Sequence, residues 1–237
     1  MNKLRIEARA ISKGFRDAEN QLLVIDNMSY SFPHSGTVAI TGRSGIGKST
    51  LLHLLGGLER PSSGSILYDG EDISQLNVEQ LAQFRGKNVG FIFQFHHLLG
   101  EFSALENVAM PLIILRIAKE EALSRARELL RKVGLESRLH HRPGQLSGGE
   151  QQRVSIARAL ISKPRVVLAD EPTGNLDIRT AREVQELLKQ MNSELGNLMI
   201  IVTHLDELAA GMDCVLEMAP GGRLTDVNCS SAVQSIL

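Results

Sequence analysis

The chain has 237 residues, is 43% hydrophobic and 22% charged, and carries a formal net charge of −1. This composition is that of a folded globular protein and excludes a disordered or fibrous chain. The near-neutral charge argues against nucleic-acid binding, which normally needs a strongly basic face, and no apolar run approaches the roughly 18 residues that cross a bilayer.

Two further features bear on the compartment of the protein. The N-terminal stretch MNKLRIEARAISKGF has no apolar region of the kind found in secretory signals. We therefore expect the protein to stay in the cytosol and to reach any membrane through a partner. Cys214 and Cys229 are the two cysteines. Without a CxxC pair or a histidine cluster, they are predicted to be reduced, structural thiols.

The first predicted elements are short strands. From Leu4 to Phe32, and again from Gly64 to Tyr68, alternating segments separated by Asn, Asp and Gly favour an antiparallel β layer. Further along, four short apolar runs predict buried strands: TVAIT (37–41), VGFIF (89–93), VVLA (166–169) and LMIIVT (198–203). Helical periodicity after several of these runs indicates an α/β fold with a parallel sheet.

The stretch between about Phe95 and Pro164 has a different, helical pattern. Small and apolar residues recur there at helical spacing, as in Ala122, Ala126 and Leu130. We interpret residues 95–164 as a helical insertion in the α/β core.

The loop GRSGIGKST lies between the strand TVAIT and a helical run. It matches the pattern G-x-x-x-x-G-K-[ST], whose backbone N–H groups curl round phosphates at a helix N-terminus. Lys48 adds a positive charge on the β and γ phosphates, and Ser49 offers its hydroxyl to Mg²⁺. The predicted ATP-binding loop comprises Gly42, Arg43, Ser44, Gly45, Ile46, Gly47, Lys48, Ser49 and Thr50.

The stretch RVVLADEPTGNLD, Arg165 to Asp177, ends an apolar strand in two consecutive carboxylates. Neighbouring residues of a strand point to opposite sides, so the two carboxylates are predicted to have different tasks. We assign Asp170 to Mg²⁺ and Glu171 to the base that orients or deprotonates the attacking water.

The stretch LSGGEQQRVSIARAL, Leu146 to Leu160, opens a helix with a Ser-Gly-Gly turn. This turn is a second potential anion site at a helix N-terminus. Because one triphosphate already has a binding loop, the second site predicts a head-to-tail homodimer. In that dimer Ser147, Gly148, Gly149 and Glu150 of one copy close on the ATP of the other.

These motifs, together with VTH at residues 202–204, resemble an ATP-binding-cassette (ABC) ATPase over nearly the entire chain. The resemblance implies a P-loop NTPase core of the RecA-like type, with an antiparallel β subdomain and a helical subdomain that carries LSGGE. It further implies a single nucleotide-binding domain over residues 1–237 and two ATP molecules sandwiched between two protomers.

The resemblance also implies roles for residues that no local pattern singles out. Gln94 is similar to the family's hinge glutamine, which reaches Mg²⁺ and the attacking water. His204 matches the switch histidine that contacts the γ-phosphate. Asp177 resembles the aspartate at the dimer contact, and Phe15 resembles the aromatic residue that stacks on adenine, although a phenylalanine in a β layer is commonly part of the core.

The apolar stretch that follows Gln94 raises a separate question. In ABC transporters the groove beside the hinge glutamine receives a short helix of a membrane subunit, so we expect part of Phe95 to Leu112 to form a docking surface. Side chains divide about equally between that surface and the subdomain core: Phe95, Leu98, Leu99, Leu105, Val108 and Leu112. His96 and His97 are interpreted as a polar rim rather than a metal site.

The segment GFIFQFHHLLGEFSALENVAMPL most resembles the lipoprotein-releasing branch of the family, although Gly100 replaces the usual proline. This likeness implies a peripheral ATPase on the cytoplasmic face of the bacterial inner membrane, coupled to two integral membrane subunits. Two alternatives stay open. One is a sister branch of the macrolide-exporter or cell-division type, and the other is a soluble ABC ATPase of DNA repair or translation.

Overall fold

The computed structural model of the chain describes residues 5–17 and 20–229. The contacts divide the chain into two units. The first is formed by the chain up to Ala82 together with the chain from Gly196 onward, and the second runs from Gln83 to Leu195.

The described residues form both strands and helices. The strands are β1 (Ile6–Asp17), β2 (Asn20–Phe32), β3 (Gly36–Thr41), β4 (Ser63–Tyr68), β5 (Glu71–Asp72), β6 (Val89–Ile92), β7 (Val166–Asp170), β8 (Leu198–Val202), β9 (Cys214–Met218) and β10 (Leu224–Cys229). The helices are α1 (Lys48–Leu55), α2 (Val78–Asn88), α3 (Ala104–Ile114), α4 (Lys119–Lys132), α5 (Gly148–Leu160), α6 (Ile178–Leu195) and α7 (Asp206–Ala210). Within these described segments, no helix is both long and apolar enough to span a bilayer.

The first unit contains two groups of strands. One is an antiparallel sheet of order β2-β1-β4-β5, which confirms the β layer predicted from the alternating segments. In the other group β3 runs parallel to both β8 and β9, and β10 returns antiparallel to β9. Val38, Ala39 and Ile40 of β3 are fully buried. A strand buried on both faces reads as a continuous apolar run, which is why TVAIT is recognisable in the sequence.

The second unit combines a parallel strand pair with helices. Val89 of β6 stands opposite Val166 of β7, and α5 packs against β6. Helices α3, α4 and α6 also pack against α5, and α3 packs against α4. Fully buried side chains on these helices include Val108, Ala126 and Val154. The burial of Ala126 agrees with the apolar face predicted for α4.

A buried asparagine fixes the start of α3. Asn107 is fully buried, and its Oδ1 accepts from the backbone N–H of Leu99 at 2.8 Å. Its Nδ2 donates to the backbone carbonyls of Leu99, Phe102 and Ser103 at 3.1, 3.0 and 3.0 Å. Ser103 and Glu106 form a capping box at the same turn. The backbone before α3 is therefore satisfied by one side chain.

The two cysteines correct one expectation from the sequence. Cys214 and Cys229 form a disulfide rather than two reduced thiols. The antiparallel pairing of β9 with β10 places Cys229 directly opposite Cys214. A separation of 15 residues along the chain carries no sign of this register, so the sequence alone could not reveal the pairing.

We expect Asn107→Ala to lower the free energy of unfolding by about 3 kcal/mol, because several buried backbone groups lose their hydrogen-bond partner. Urea denaturation followed by circular dichroism measures the change. Gln190→Ala removes an exposed helical amide of the same unit and should cost less than about 0.5 kcal/mol. Equal effects of the two substitutions would contradict this account of Asn107.

Candidate nucleotide-binding site

The loop between β3 and α1 has the backbone of a phosphate cradle. Gly42, Gly45 and Gly47 have φ angles of 142°, 74° and 110°, a region that side chains disfavour. A Cβ at Gly47 would also lie 2.5 Å from Cγ1 of Val24. Helix α1 begins after Gly47, which has no side chain to cap the first turn of the helix. Such a helix start attracts anions.

Lys48 supplies the positive charge of this loop. Its side chain is 7% exposed, and Nζ donates to the backbone carbonyls of Gly42 at 2.8 Å and Arg43 at 3.0 Å. Both carbonyls belong to the loop itself, so the ammonium group is held inside the curl. Ser49, the next residue, is exposed.

Phe15 lies on β1 of the same unit and is 40% exposed. The ammonium of Lys13 lies 5.2 Å from the centre of its ring. An exposed aromatic ring with a cation on it is not a plain core residue, and it leaves ring surface for stacking.

His204 follows β8 in the first unit and is exposed. Its neighbour Thr203 is fully buried, and the backbone N–H of Thr203 donates to the carbonyl of Ile40 at 3.2 Å. Because β3 and β8 are parallel, His204 and the phosphate loop leave the strands at the same edge.

In the second unit the two consecutive carboxylates stand where β7 ends. Asp170 is the last residue of the strand, and Glu171 has a φ of 46°. A left-handed backbone is uncommon for a residue with a side chain and costs about 1–3 kcal/mol. Residues with this conformation cluster at functional sites.

Gln94 lies beside the loop that follows Glu171. Its Nε2 donates to Oδ1 of Asn175 at 3.0 Å, and Nδ2 of Asn175 donates to the backbone carbonyl of Gln94 at 3.2 Å. A Cβ at Gly174 would lie 3.0 Å from Nε2 of Gln94 and 3.5 Å from Cβ of Glu171. The structure therefore brings Gln94 and Glu171 together. Sequence reasoning missed Asn175, because its partner lies 81 residues away.

Ser147 caps α5 through reciprocal hydrogen bonds with Glu150. Its Oγ accepts from the backbone N–H of Glu150 at 3.2 Å, and its own N–H donates to Oε2 of Glu150 at 2.8 Å. Because the Ser147 side chain also hydrogen-bonds to the Glu150 carboxylate, the donors that this turn offers an anion are the first backbone N–H groups of α5. A Cβ at Gly149 would lie 2.4 Å from Cγ2 of Thr180, so a larger residue there would force Thr180 to shift.

Glu150 has its own partners at this turn. Arg138 donates to its Oε1 at 2.8 Å, and this hydrogen bond, with that from the Ser147 backbone, lowers the pKa of the Glu150 carboxyl. These contacts give Glu150 a structural task in the capping box, and direct contact with nucleotide stays a prediction.

Asp177 caps α6. Its Oδ1 accepts from the backbone N–H groups of Arg179 and Thr180, both at 3.1 Å, and the hydrogen bonds from Thr180 lower the pKa of the Asp177 carboxyl. The side chain is exposed, so its predicted contact across a dimer is sterically open.

Comparison with known proteins decides the family. The family model described as "ABC transporter" matches residues 25–174, which is more than half of the chain. The chain belongs to the ABC transporter family. As a member of this family it is an ATP-binding subunit with ATPase activity, which confirms the predicted fold class and enzyme class.

Curated ABC relatives resemble almost the whole chain. Proteins described as "Lipoprotein-releasing system ATP-binding protein LolD" are 48% identical over 93% of this chain in Geobacter metallireducens and 50% identical over 88% in Idiomarina loihiensis. A third, from Syntrophotalea carbinolica, is 50% identical over 91%. The aligned regions cover 98%, 92% and 95% of those relatives.

Solved structures agree with this family. Two structures of the ABC cassette MJ0796 superpose with a TM-score of 0.87 and cover 95% of this chain and 99% of theirs. Their sequence identities are 34% and 35%. Both are described as dimeric, and the first as a post-hydrolysis state bound to ADP and Pi.

We predict that Gly174→Ala lowers ATP turnover by about ten- to a hundredfold, because the added methyl displaces Gln94 from Glu171. Steady-state phosphate release measures the loss, and thermal denaturation should show an unchanged fold. Gly144→Ala is the matched control, since a Cβ there meets no atom within 4 Å. Normal turnover in the Gly174 variant would show that the approach of Gln94 to this loop is unimportant.

Proposed function

We propose that this chain is the ATP-hydrolysing subunit of a transporter that releases lipoproteins from the bacterial inner membrane through partner membrane subunits. The observation that carries the proposal is the identity of 48–50% over 88–93% of the chain to three proteins of that name. The chain works from the cytoplasmic face as a peripheral subunit and does not need to contact the lipoprotein itself.

The site supports hydrolysis through positioned charge. The P-loop and Lys48 bind the phosphates of ATP. Ser49, Gln94 and Asp170 would hold Mg²⁺ through their hydroxyl, amide and carboxylate oxygens, because this ion takes a few oxygen ligands from protein and the rest from phosphate and water. When bound, Mg²⁺ neutralises charge on the β and γ phosphates. Glu171 accepts the proton of the attacking water, and His204 contacts the γ-phosphate.

The proposed active form is a head-to-tail homodimer. Ser147 and the first amides of α5 form a second anion site, and the dimeric state of the MJ0796 cassette supports its use across a subunit interface. In this dimer each ATP lies between the P-loop of one protomer and the signature turn, residues 147–150, of the other. Asp177 stands at the same contact.

The proposed docking surface for membrane subunits lies near Gln94 to Leu112 and extends to the end of α3 at Ile114. The structure buries Leu105, Val108 and Leu112, but Phe95 is 68% exposed. Other large apolar side chains are also exposed there: Leu99, Phe102, Ile113 and Ile114. Exposed apolar side chains of this size mark interaction sites, and we assign these to two integral membrane subunits of the LolC/LolE-like type.

We expect Glu171→Gln to retain ATP binding, to lower turnover by at least about a hundredfold, and to accumulate an ATP-bound dimer, because the amide cannot take the proton of water. Phosphate release and sedimentation velocity measure these effects. Glu186→Gln changes an exposed carboxylate on α6 and should leave both unchanged. A Glu171→Gln variant that hydrolyses ATP normally would remove this carboxylate from the mechanism.

Reconstitution tests the transport function. This chain, its cognate membrane subunits and a fluorescently labelled lipoprotein are placed in liposomes, and lipoprotein release to an acceptor is followed with and without ATP. We expect release that requires ATP and is absent with the Glu171→Gln subunit. A complex that hydrolyses ATP but releases no lipoprotein would exclude lipoprotein release as its function.

A further inference from the structure

The segment that follows Gln94 is joined to both ends of α5 by polar contacts. Nε2 of His96 lies 3.0 Å from the backbone carbonyl oxygen of Gly148, in the first turn of the helix. Arg158, in the last turn, donates from Nη2 to the carbonyl of His96 at 2.8 Å and from Nη1 to the carbonyl of His97 at 2.7 Å. None of these contacts is needed to form a helix.

The chemistry of the His96 contact fixes its direction. A carbonyl oxygen only accepts, so Nε2 of His96 must carry the proton and donate it to Gly148. Nδ1 is buried and has no hydrogen-bond partner among the described residues. A buried ring nitrogen without a partner is unfavourable. Because Nδ1 makes no hydrogen bond to the part of the chain that the structure describes, the contact of Nε2 with Gly148 is the hydrogen bond that orients the ring.

Arg158 and His97 hold the backbone of the same segment. Burial lowers the pKa of the Arg158 guanidinium below its usual range, so this cation is partly removed from water and relies on the two carbonyls. His97 has a φ of 48°, and its ring lies edge-on to Phe93 with centroids 5.1 Å apart. A left-handed backbone persists only where its surroundings hold it.

The Gly148 carbonyl belongs to the same planar peptide unit as the N–H of Gly149. A hydrogen bond that holds the oxygen therefore also fixes the direction of that N–H group. Gly149 N–H is one of the first amides of α5, where an anion would bind. Gly148 is the first residue of α5, so the helix already orients this peptide, and the contact with His96 adds a constraint from another part of the chain.

We propose that His96 and Arg158 are positioning residues that hold the signature turn in the orientation that closes the ATP site of the second protomer. This rests on the proposed homodimer. His96 acts on the first peptide of α5, and Arg158 keeps the backbone that carries His96 in place.

The test separates nucleotide binding from dimer closure. His96→Phe keeps a ring but removes the N–H donor. His96→Gln restores a donor, since its Nε2 is as many bonds from the backbone as Nε2 of His96. Both are made in the Glu171→Gln background, and sedimentation velocity with MgATP gives the dimer dissociation constant. Equilibrium dialysis gives the dissociation constant of each protomer for ADP.

We expect His96→Phe to weaken the ATP-bound dimer by about tenfold or more, because each of two interfaces loses a directed donor, and to leave ADP binding unchanged. His96→Gln should restore the dimer to within about threefold. Arg158→Lys should act in the same direction as His96→Phe, because one ammonium cannot bridge two carbonyls as a guanidinium fork does. If the Arg158 variant fails to fold, the two His96 variants still decide the question.

His140→Phe is the matched control, since His140 is exposed in the same unit, and it should leave the dimer unchanged. An ATP-bound dimer that survives His96→Phe, or one that His96→Gln fails to rescue, would overturn the positioning role alone. Absence of a dimer in the parent Glu171→Gln protein would instead overturn the homodimer together with this inference.

Discussion

Parallel pairing of buried strands is the constraint on which the rest of the structure depends. In the first unit, β3 and β8 run in the same direction, so the loop that holds Lys48 and the residue His204 emerge at one edge. In the second unit, β6 and β7 do the same for Gln94 and Glu171. The strands themselves are almost wholly apolar. Lys48, His204, Gln94 and Glu171 therefore lie just beyond strand ends, the usual position of ligands in α/β proteins.

The two helix starts differ in a way that suits different tasks. Helix α1 has no side-chain cap and begins with the buried Lys48, so one protomer can hold phosphate by itself. Helix α5 is already half satisfied by the Ser147 capping box. We therefore expect the N-terminus of α5 to bind phosphate weakly by itself and to contribute when another protein segment already holds the phosphate. This asymmetry is a physical reason for the proposed dimer, in which ATP would bridge two copies.

Much of this architecture could be read from the sequence, because its main features are local. The P-loop, the strand VVLA before Asp170 and the Ser-Gly-Gly turn each follow from the order of neighbouring residues, and the predicted family and fold are confirmed. What the sequence could not reveal depends on residues far apart in the chain. The Gln94–Asn175 pair, the Arg158 contacts and the Cys214–Cys229 disulfide all require the register of distant segments. The individual site roles stay predictions, as does the helical insertion at 95–164.

The hydrogen bonds of Asn107 have a consequence for recognition. They tie the backbone at Leu99 and Phe102 to the start of α3, and both residues expose apolar side chains beside Phe95 in the chain. Leu99 and Phe102, which belong to the proposed docking surface, are thus ordered when the protein folds, before a partner binds. Association then loses little conformational freedom, so a modest contact area can suffice for a stable complex. An ordered docking surface would also transmit a small rotation of a bound partner to the backbone, whereas a flexible loop would not.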